Sequence, residues 1–113
     1  MVAGESVSLE QGLELMRAKR WFDAHEALED EWREAPAEER DFLQGLVHVT
    51  VAWHHASNGN QPGASRQLEK AARRLEPYAP AHRDVDVTRV LGQVEAASAR
   101  VAEGLLDLLP VRI

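Results

Sequence analysis

The sequence predicts an all-α fold, a single-domain bundle of about five helices with its third helix central and buried. Apolar residues recur every three to four positions along most of the chain, which is the period of an amphipathic helix. No segment alternates strictly between apolar and polar residues, as a half-buried strand would. The length of 113 residues suits one domain better than two, so we expect residues 1–113 to form one unit.

The first two helices are predicted from capping and proline signals. Ser8 followed three residues later by Gln11 has the spacing of a capping box, which predicts a first helix over residues 9–19. The second helix should cover residues 21–35, because the residue before Pro36 is disfavoured in the α conformation.

The third helix is the most apolar segment of the chain. Pro36 suits its opening turn, and it should run to residue 56 before the turn NGN, where Gly59 can adopt a left-handed conformation. A helix that is apolar on nearly all sides is usually buried, so we expect this one at the centre.

The last two helices flank the loop PYAPAHRD. Asn60 is expected to cap the fourth helix, which has Pro62 in its first turn and should end near residue 75. Asp84 or Asp86 is expected to cap the fifth helix, which should cover about residues 86–109, where a proline follows. Its expected apolar face consists of Val87, Val90, Leu91, Val94, Val101, Leu105 and Leu108.

Composition and charge restrict the function. The chain has no cysteine, so a metal ion would have to be held by histidine and carboxylate side chains. A net charge of −6 argues against a nucleic-acid partner, because neutralising phosphates requires a basic face. We find neither a signal-peptide pattern nor an apolar run long enough for a membrane span, so we expect no membrane partner and a cytoplasmic location.

Two polar strips carry the residues capable of chemistry. The segment FDAHEALEDEWR, residues 22–33, places one histidine among five carboxylates. The strip bordering the packing side of this second helix consists of His25, Glu26, Glu29 and Arg33. The line along the third helix consists of Gln44, His48 and His55. Because a short turn joins the two helices, we expect them to be antiparallel neighbours and the two strips to meet.

Such a cluster predicts one divalent metal ion as a cofactor. Imidazole and carboxylate groups spaced by four residues on a helix can reach the same ion, and the ion lowers the pKa of a bound water. The predicted ligands are His25, Glu29, His48 and His55. In a metal-dependent hydrolase of this kind Glu26 would be the general base and Arg33 would hold an anionic group, with Gln44 and Trp32 supporting the cluster.

Other interpretations of the same residues remain open. Glu29 and Arg33 can pair within their own helix, and the histidines can be satisfied in the core, which would make the cluster purely structural. Catalysis or recognition without a metal is a further alternative. His54 and His82 are expected to be surface or loop residues without a role. A basic stripe on the fourth helix, either a solvated face or a dock for an acidic partner, consists of Arg66, Lys70, Arg73 and Arg74.

Two blocks in this order, WFDAHEALEDEWR and FLQGLVHVTVAWHHASNGNQPGA, resemble the family called domain of unknown function 309, over about residues 10–77. These are small all-α bacterial and archaeal proteins, so the resemblance implies the fold. The family's first pattern falls on Phe22, His25, Glu26, Leu28, Glu29, Trp32 and Arg33. Its second pattern falls on Leu43, Gln44, Gly45, His55, Gly59 and Asn60, while many relatives carry glutamine at the position of His48. The resemblance also implies a polar site at these residues. Some relatives bear the label of a predicted metal-dependent hydrolase, which looks like an inference from the same block of residues.

The alternative is a non-enzymatic interaction domain. The segment GNQPGASRQLEKAARRLEP resembles the second helix of a tetratricopeptide repeat, in which small residues pack between paired helices. In such a helix-hairpin domain the polar cluster fixes the packing, and the partner is a small molecule or a protein of unknown identity. A homodimer through the last helix is also expected, because small bundles often bury a remaining apolar face in a dimer.

Overall fold

Helices dominate the part of the chain that the computed structural model describes, which is the backbone of residues 3–113 and the side chains from residue 9 onward. The helices are α1 (Ala3–Arg17), α2 (Trp21–Glu34), α3 (Ala37–Ser57), α4 (Gln61–Leu75) and α5 (Val87–Ala102). A 3₁₀ turn (Glu76–Tyr78) and an antiparallel hairpin of two short strands, β1 (Ala81–His82) and β2 (Val85–Asp86), connect α4 to α5. The predicted all-α class is confirmed. The hairpin was not predicted, because two-residue strands are too short to show alternation.

Most helix boundaries follow local sequence signals. Asn60 Oδ1 accepts a hydrogen bond from the backbone N–H of Gly63 at 3.0 Å, and Asp86 Oδ1 accepts one from Arg89 at 3.0 Å. Both are side-chain caps of the predicted kind. Helix α1 begins earlier than the predicted start at residue 9, since no proline interrupts the preceding residues. The predicted cap by the Ser8 side chain lies outside the described side chains.

The helices pack in chain order, with α3 between α2 and α4, α1 against α2, and α5 against α4. Helix α3 is central, as predicted, and contributes the largest set of buried residues, including Phe42, Leu43, Leu46, Val49 and Ala52. None of the helices in the described part of the chain is both long and apolar enough to cross a membrane.

Glycine sets the spacing between α3 and α4. A Cβ atom added at Gly45 would lie 2.6 Å from Leu75 Cδ2, closer than side chains approach in folded proteins. Helix α4 therefore packs directly on the α3 backbone at this position, and the α3 residues that share this face are directed toward α4.

The fifth helix is shorter than predicted, since it ends at Ala102 and not near residue 109. Gly104 adopts a φ of 80° and its N–H bonds to the carbonyl of Val101, which closes the helix. The following residues cross the bundle without helical structure: Trp53 Nε1 donates to Leu109 O at 2.9 Å. Leu105 and Leu108, expected on the helix face, belong to this returning segment.

Candidate functional site

The charged side chains of the α2 strip form ion pairs mainly with other residues of α2. His25 Nε2 lies 3.4 Å from Glu29 Oε2, and Arg33 Nη2 lies 3.8 Å from Glu29 Oε1. Arg33 also donates to Asp30 Oδ1 at 2.6 Å, and Glu26 is exposed. Every one of these pairs lies within one helix, where an exposed pair contributes a few tenths of a kcal/mol.

Trp32 lies at the turn between α2 and α3, where it contacts a cation and not a polar cluster. The Arg40 guanidinium carbon is 5.4 Å from the Trp32 ring centroid, a cation–π distance, and Arg40 Nε donates to Ala35 O at 3.2 Å. These contacts connect the end of α2 to the start of α3.

Gln44, the first residue of the α3 line, is half-buried on α3.

The two histidines of the α3 line face α4, whereas the sequence predicted that they would face α2. His48 Nδ1 lies 2.7 Å from Gln67 Oε1 on α4. His55 Nδ1 lies 3.2 Å from Asn60 Nδ2, beside the first turn of α4. The reason is the rotation of α3 that places Gly45 against α4, because a residue three positions further along the helix lies on a neighbouring part of the same face.

The four predicted metal ligands therefore do not come together. In the described part of the chain, no group of three or more histidine, aspartate or glutamate side chains is placed to hold a metal ion. A zinc site of the hydrolytic type needs three protein ligands and an open position. The nearest approach to the predicted site is the single pair of His25 and Glu29.

His48 is the most unusual of the polar residues of α3. Its side chain is buried, and Nε2 has no hydrogen-bond partner among the described residues. Burial lowers the pKa of His48, the nearby charges of Arg74, Lys70 and Arg73 lower it further, and the hydrogen bond to Gln67 partly offsets this. Because the amide oxygen of Gln67 can only accept, Nδ1 carries the proton and Nε2 presents a lone pair.

His55 is a half-buried residue at the end of α3. A Cβ atom added at Gly63 would lie 2.9 Å from His55 Cδ2, so the ring packs on the first turn of α4. Burial lowers the pKa of His55, and the charges of His54 and Arg66 lower it further. This histidine therefore packs at the turn that joins α3 to α4.

A second polar group, which sequence reasoning missed, connects α2, α3 and the hairpin. His82 Nε2 lies 2.8 Å from Glu39 Oε1, Arg83 Nη2 lies 3.6 Å from Glu31 Oε2, and Arg83 Nη1 lies 4.0 Å from Glu39 Oε1. We call Glu31, Glu39, His82 and Arg83 the hairpin clamp. One signal was available: Glu31 continues the spacing of Leu28 and the other buried residues of α2, and it is only 4% exposed.

Aromatic rings pack around His82 and hold the hairpin clamp in place. The His82 ring lies 4.7 Å from the Phe42 ring and 4.9 Å from the Tyr78 ring, and Tyr78 donates to Glu38 O at 2.8 Å. Burial raises the pKa of Tyr78, and the carboxylates near it raise it further. A cavity of about 290 Å³ lies beside the hairpin, but neither His82 nor Glu39 lines it. Its lining residues are Leu9, Glu10, Leu13, Arg17, Arg83, Asp84, Val85 and Ile113.

Comparison with known proteins places the chain in a family. A model of the family described as domain of unknown function (DUF309) matches residues 9–67, just over half of the chain. The chain belongs to the DUF309 family. The DUF309 match covers the α2 strip, all of α3 and the first half of α4, and it ends before the hairpin and α5.

One curated relative matches part of the chain, and its name states no activity. The uncharacterized protein YpuF of Bacillus subtilis (strain 168) is 31% identical over 65 residues, which are 57% of this chain and 37% of that protein. The matched region thus spans little more than a third of the relative's length. No solved structure matches the chain. The resemblance to DUF309 inferred from the two sequence blocks is confirmed.

Proposed function

We propose that this DUF309 domain is a non-catalytic helix-hairpin interaction domain, in which the polar residues of α2 and α3 make separate structural contacts and form no common active site. The observation that supports it is the separation of these residues into three places: the α2 strip, the α3–α4 boundary and the hairpin clamp. A metal-dependent hydrolase would need at least three ligands around one ion with one open position. Here the four predicted ligands are divided between two of the three places.

The packing of α3 on α4 supports the same proposal. Gly45 allows the two backbones to approach closely, and the alanines Ala64 and Ala71 of α4 are fully buried. Small residues between paired helices are typical of helix-hairpin scaffolds, whose outer surfaces are free to bind partners. A cytoplasmic location and a homodimer remain predictions from the sequence.

The test is the metal content of untagged protein, measured by inductively coupled plasma mass spectrometry, together with thermal unfolding with and without a chelator. We expect less than stoichiometric metal and the same melting temperature after chelation or after addition of zinc, manganese or nickel. The His25→Ala variant should match the parent in both measurements. Stoichiometric metal, with melting that depends on chelator in the parent but not in His25→Ala, would overturn the proposal and support the hydrolase.

A further inference from the structure

An open groove runs between α4 and α5, on the opposite side of α4 from its contact with α3. Its volume is about 670 Å³ and its floor is apolar. Leu68 and Val94 are buried at the bottom, while Ala72 and Leu91 are half-buried along it. The lining residues are Ser65, Leu68, Glu69, Ala72, Glu76, Thr88, Leu91, Gly92, Val94, Glu95 and Ser98.

The charged side chains that line this groove are negative. Among the described residues, the charged ones that line it are Glu69, Glu76 and Glu95. All three are exposed, and none has an ion-pair partner in that part of the chain. The four cations of α4 are absent from the lining, so α4 presents its single carboxylate, Glu69, to the groove and its basic residues elsewhere. An apolar floor between carboxylates is complementary to a surface that is apolar in the middle and basic at its edges.

Gly92 leaves the α5 side of the groove open. It lies within α5, where glycine costs about 1 kcal/mol relative to alanine. A Cβ atom added there would meet nothing within 4 Å, so packing inside this chain does not require glycine. The missing side chain leaves space for another backbone to approach α5 closely.

We propose that this groove binds one amphipathic helix of a partner protein, with the apolar face of that helix on the floor and its lysine or arginine side chains against Glu69, Glu76 and Glu95. This proposal rests on the proposed function and specifies the partner and the surface. The side of the groove from Ser65 to Glu76 is roughly 17 Å long at the rise of an α-helix, so about three turns of partner helix fill it. This is the helix-in-groove mode of recognition.

The probe is a fluorescent amphipathic peptide of about four helical turns with leucine on one face and lysine on the other. Two peptides control for it: one with glutamate in place of lysine, and one with the same leucines and lysines in an order that gives no apolar face. Binding is measured by fluorescence anisotropy at low and high salt. We expect saturable binding of the amphipathic lysine peptide alone, weakened by salt because exposed charges are screened.

Two variants locate the binding. Gly92→Leu fills the groove and raises the helix propensity of α5, so it should fold at least as stably as the parent and bind at least about tenfold more weakly. The double variant Glu69→Gln/Glu95→Gln should also lose about tenfold in affinity. Its matched control is Glu34→Gln/Glu103→Gln, which removes the same charge from exposed positions outside the groove and should change affinity less than about twofold.

Four results would overturn the proposal. The first is equal binding of the parent and Gly92→Leu, the second is equal binding of the three peptides, and the third is no binding of the lysine peptide. The fourth is a parent dimer in sedimentation that Gly92→Leu converts to a monomer, since the occupant would then be a second copy of this chain. These results leave the non-catalytic function standing with a different surface, whereas chelator-sensitive melting and stoichiometric metal would overturn that function itself.

Discussion

His48 on α3 and Gln67 on α4 are joined by a hydrogen bond of 2.7 Å between Nδ1 and Oε1, while Nε2 of the same ring is buried without a partner among the described residues. A buried polar atom without a partner costs about 1–3 kcal/mol of stability. The bond connects two helices, but the unpaired second nitrogen of the ring offsets part of what it contributes to stability.

Replacing His48 with leucine should leave the free energy of unfolding unchanged or raise it by up to about 1 kcal/mol, because the unpaired nitrogen is removed and half-buried Gln67 can bond to water. Urea denaturation at pH 7.5 measures this. His54→Leu, on the same helix and half-buried, is the control and should change the free energy of unfolding by less than about 0.5 kcal/mol. A loss of more than about 1 kcal/mol in His48→Leu would mean that Nε2 has a partner, such as a bound water.

Stability should fall as the solution becomes acidic. The pKa of His48 in the folded protein is lowered below its ordinary value of 6.5, so the unfolded chain takes up a proton at a higher pH than the folded protein does. The contribution is fully present above about pH 6.5 and is lost as the pH falls through the folded-state pKa. Urea denaturation between pH 7.5 and pH 5 should show this slope, and His48→Leu should flatten it. An unchanged slope in the variant would assign the effect to His55, whose pKa is lowered in the same direction.

The hairpin clamp should contribute to stability through buried Glu31. Arg83→Met removes the cation 3.6 Å from that carboxylate and should cost about 1–2 kcal/mol, reduced from the value for a fully buried pair because Arg83 is partly exposed. The double variant Glu31→Met/Arg83→Met should recover part of the loss, since the buried carboxylate that lost this cation is then removed as well. A double-mutant cycle by chemical denaturation measures the coupling, and additive losses would contradict it.

Two glycines inside helices should respond to alanine in opposite directions. Gly45→Ala should destabilise the protein by about 1–3 kcal/mol, because the new Cβ would lie 2.6 Å from Leu75 Cδ2. Gly92→Ala should stabilise it by up to about 1 kcal/mol, because the new methyl group meets nothing within 4 Å. Thermal and urea unfolding of the two variants decide this, and a stable Gly45→Ala protein would mean that α3 and α4 can separate at little cost.

The sequence predicted the helices well and their polar contacts poorly. Asn60 and Asp86 cap their helices as their spacing indicates, and α2 ends before Pro36, because these signals act over a few neighbouring residues. The end of α5 was placed too late because the leucines after Gly104 keep the helical period although the chain has already left the helix.

Local periodicity and capping were enough to predict the all-α class, the order of the helices and the central position of α3. Which polar residues meet depends on packing between residues far apart in the chain. His48 pairs with Gln67, and His82 with Glu39, because the rotation of α3 about its axis and the path of the hairpin depend on close packing between distant residues such as Gly45 and Leu75. Helical spacing places a side chain on a face, but only the packed neighbours determine what that face contacts.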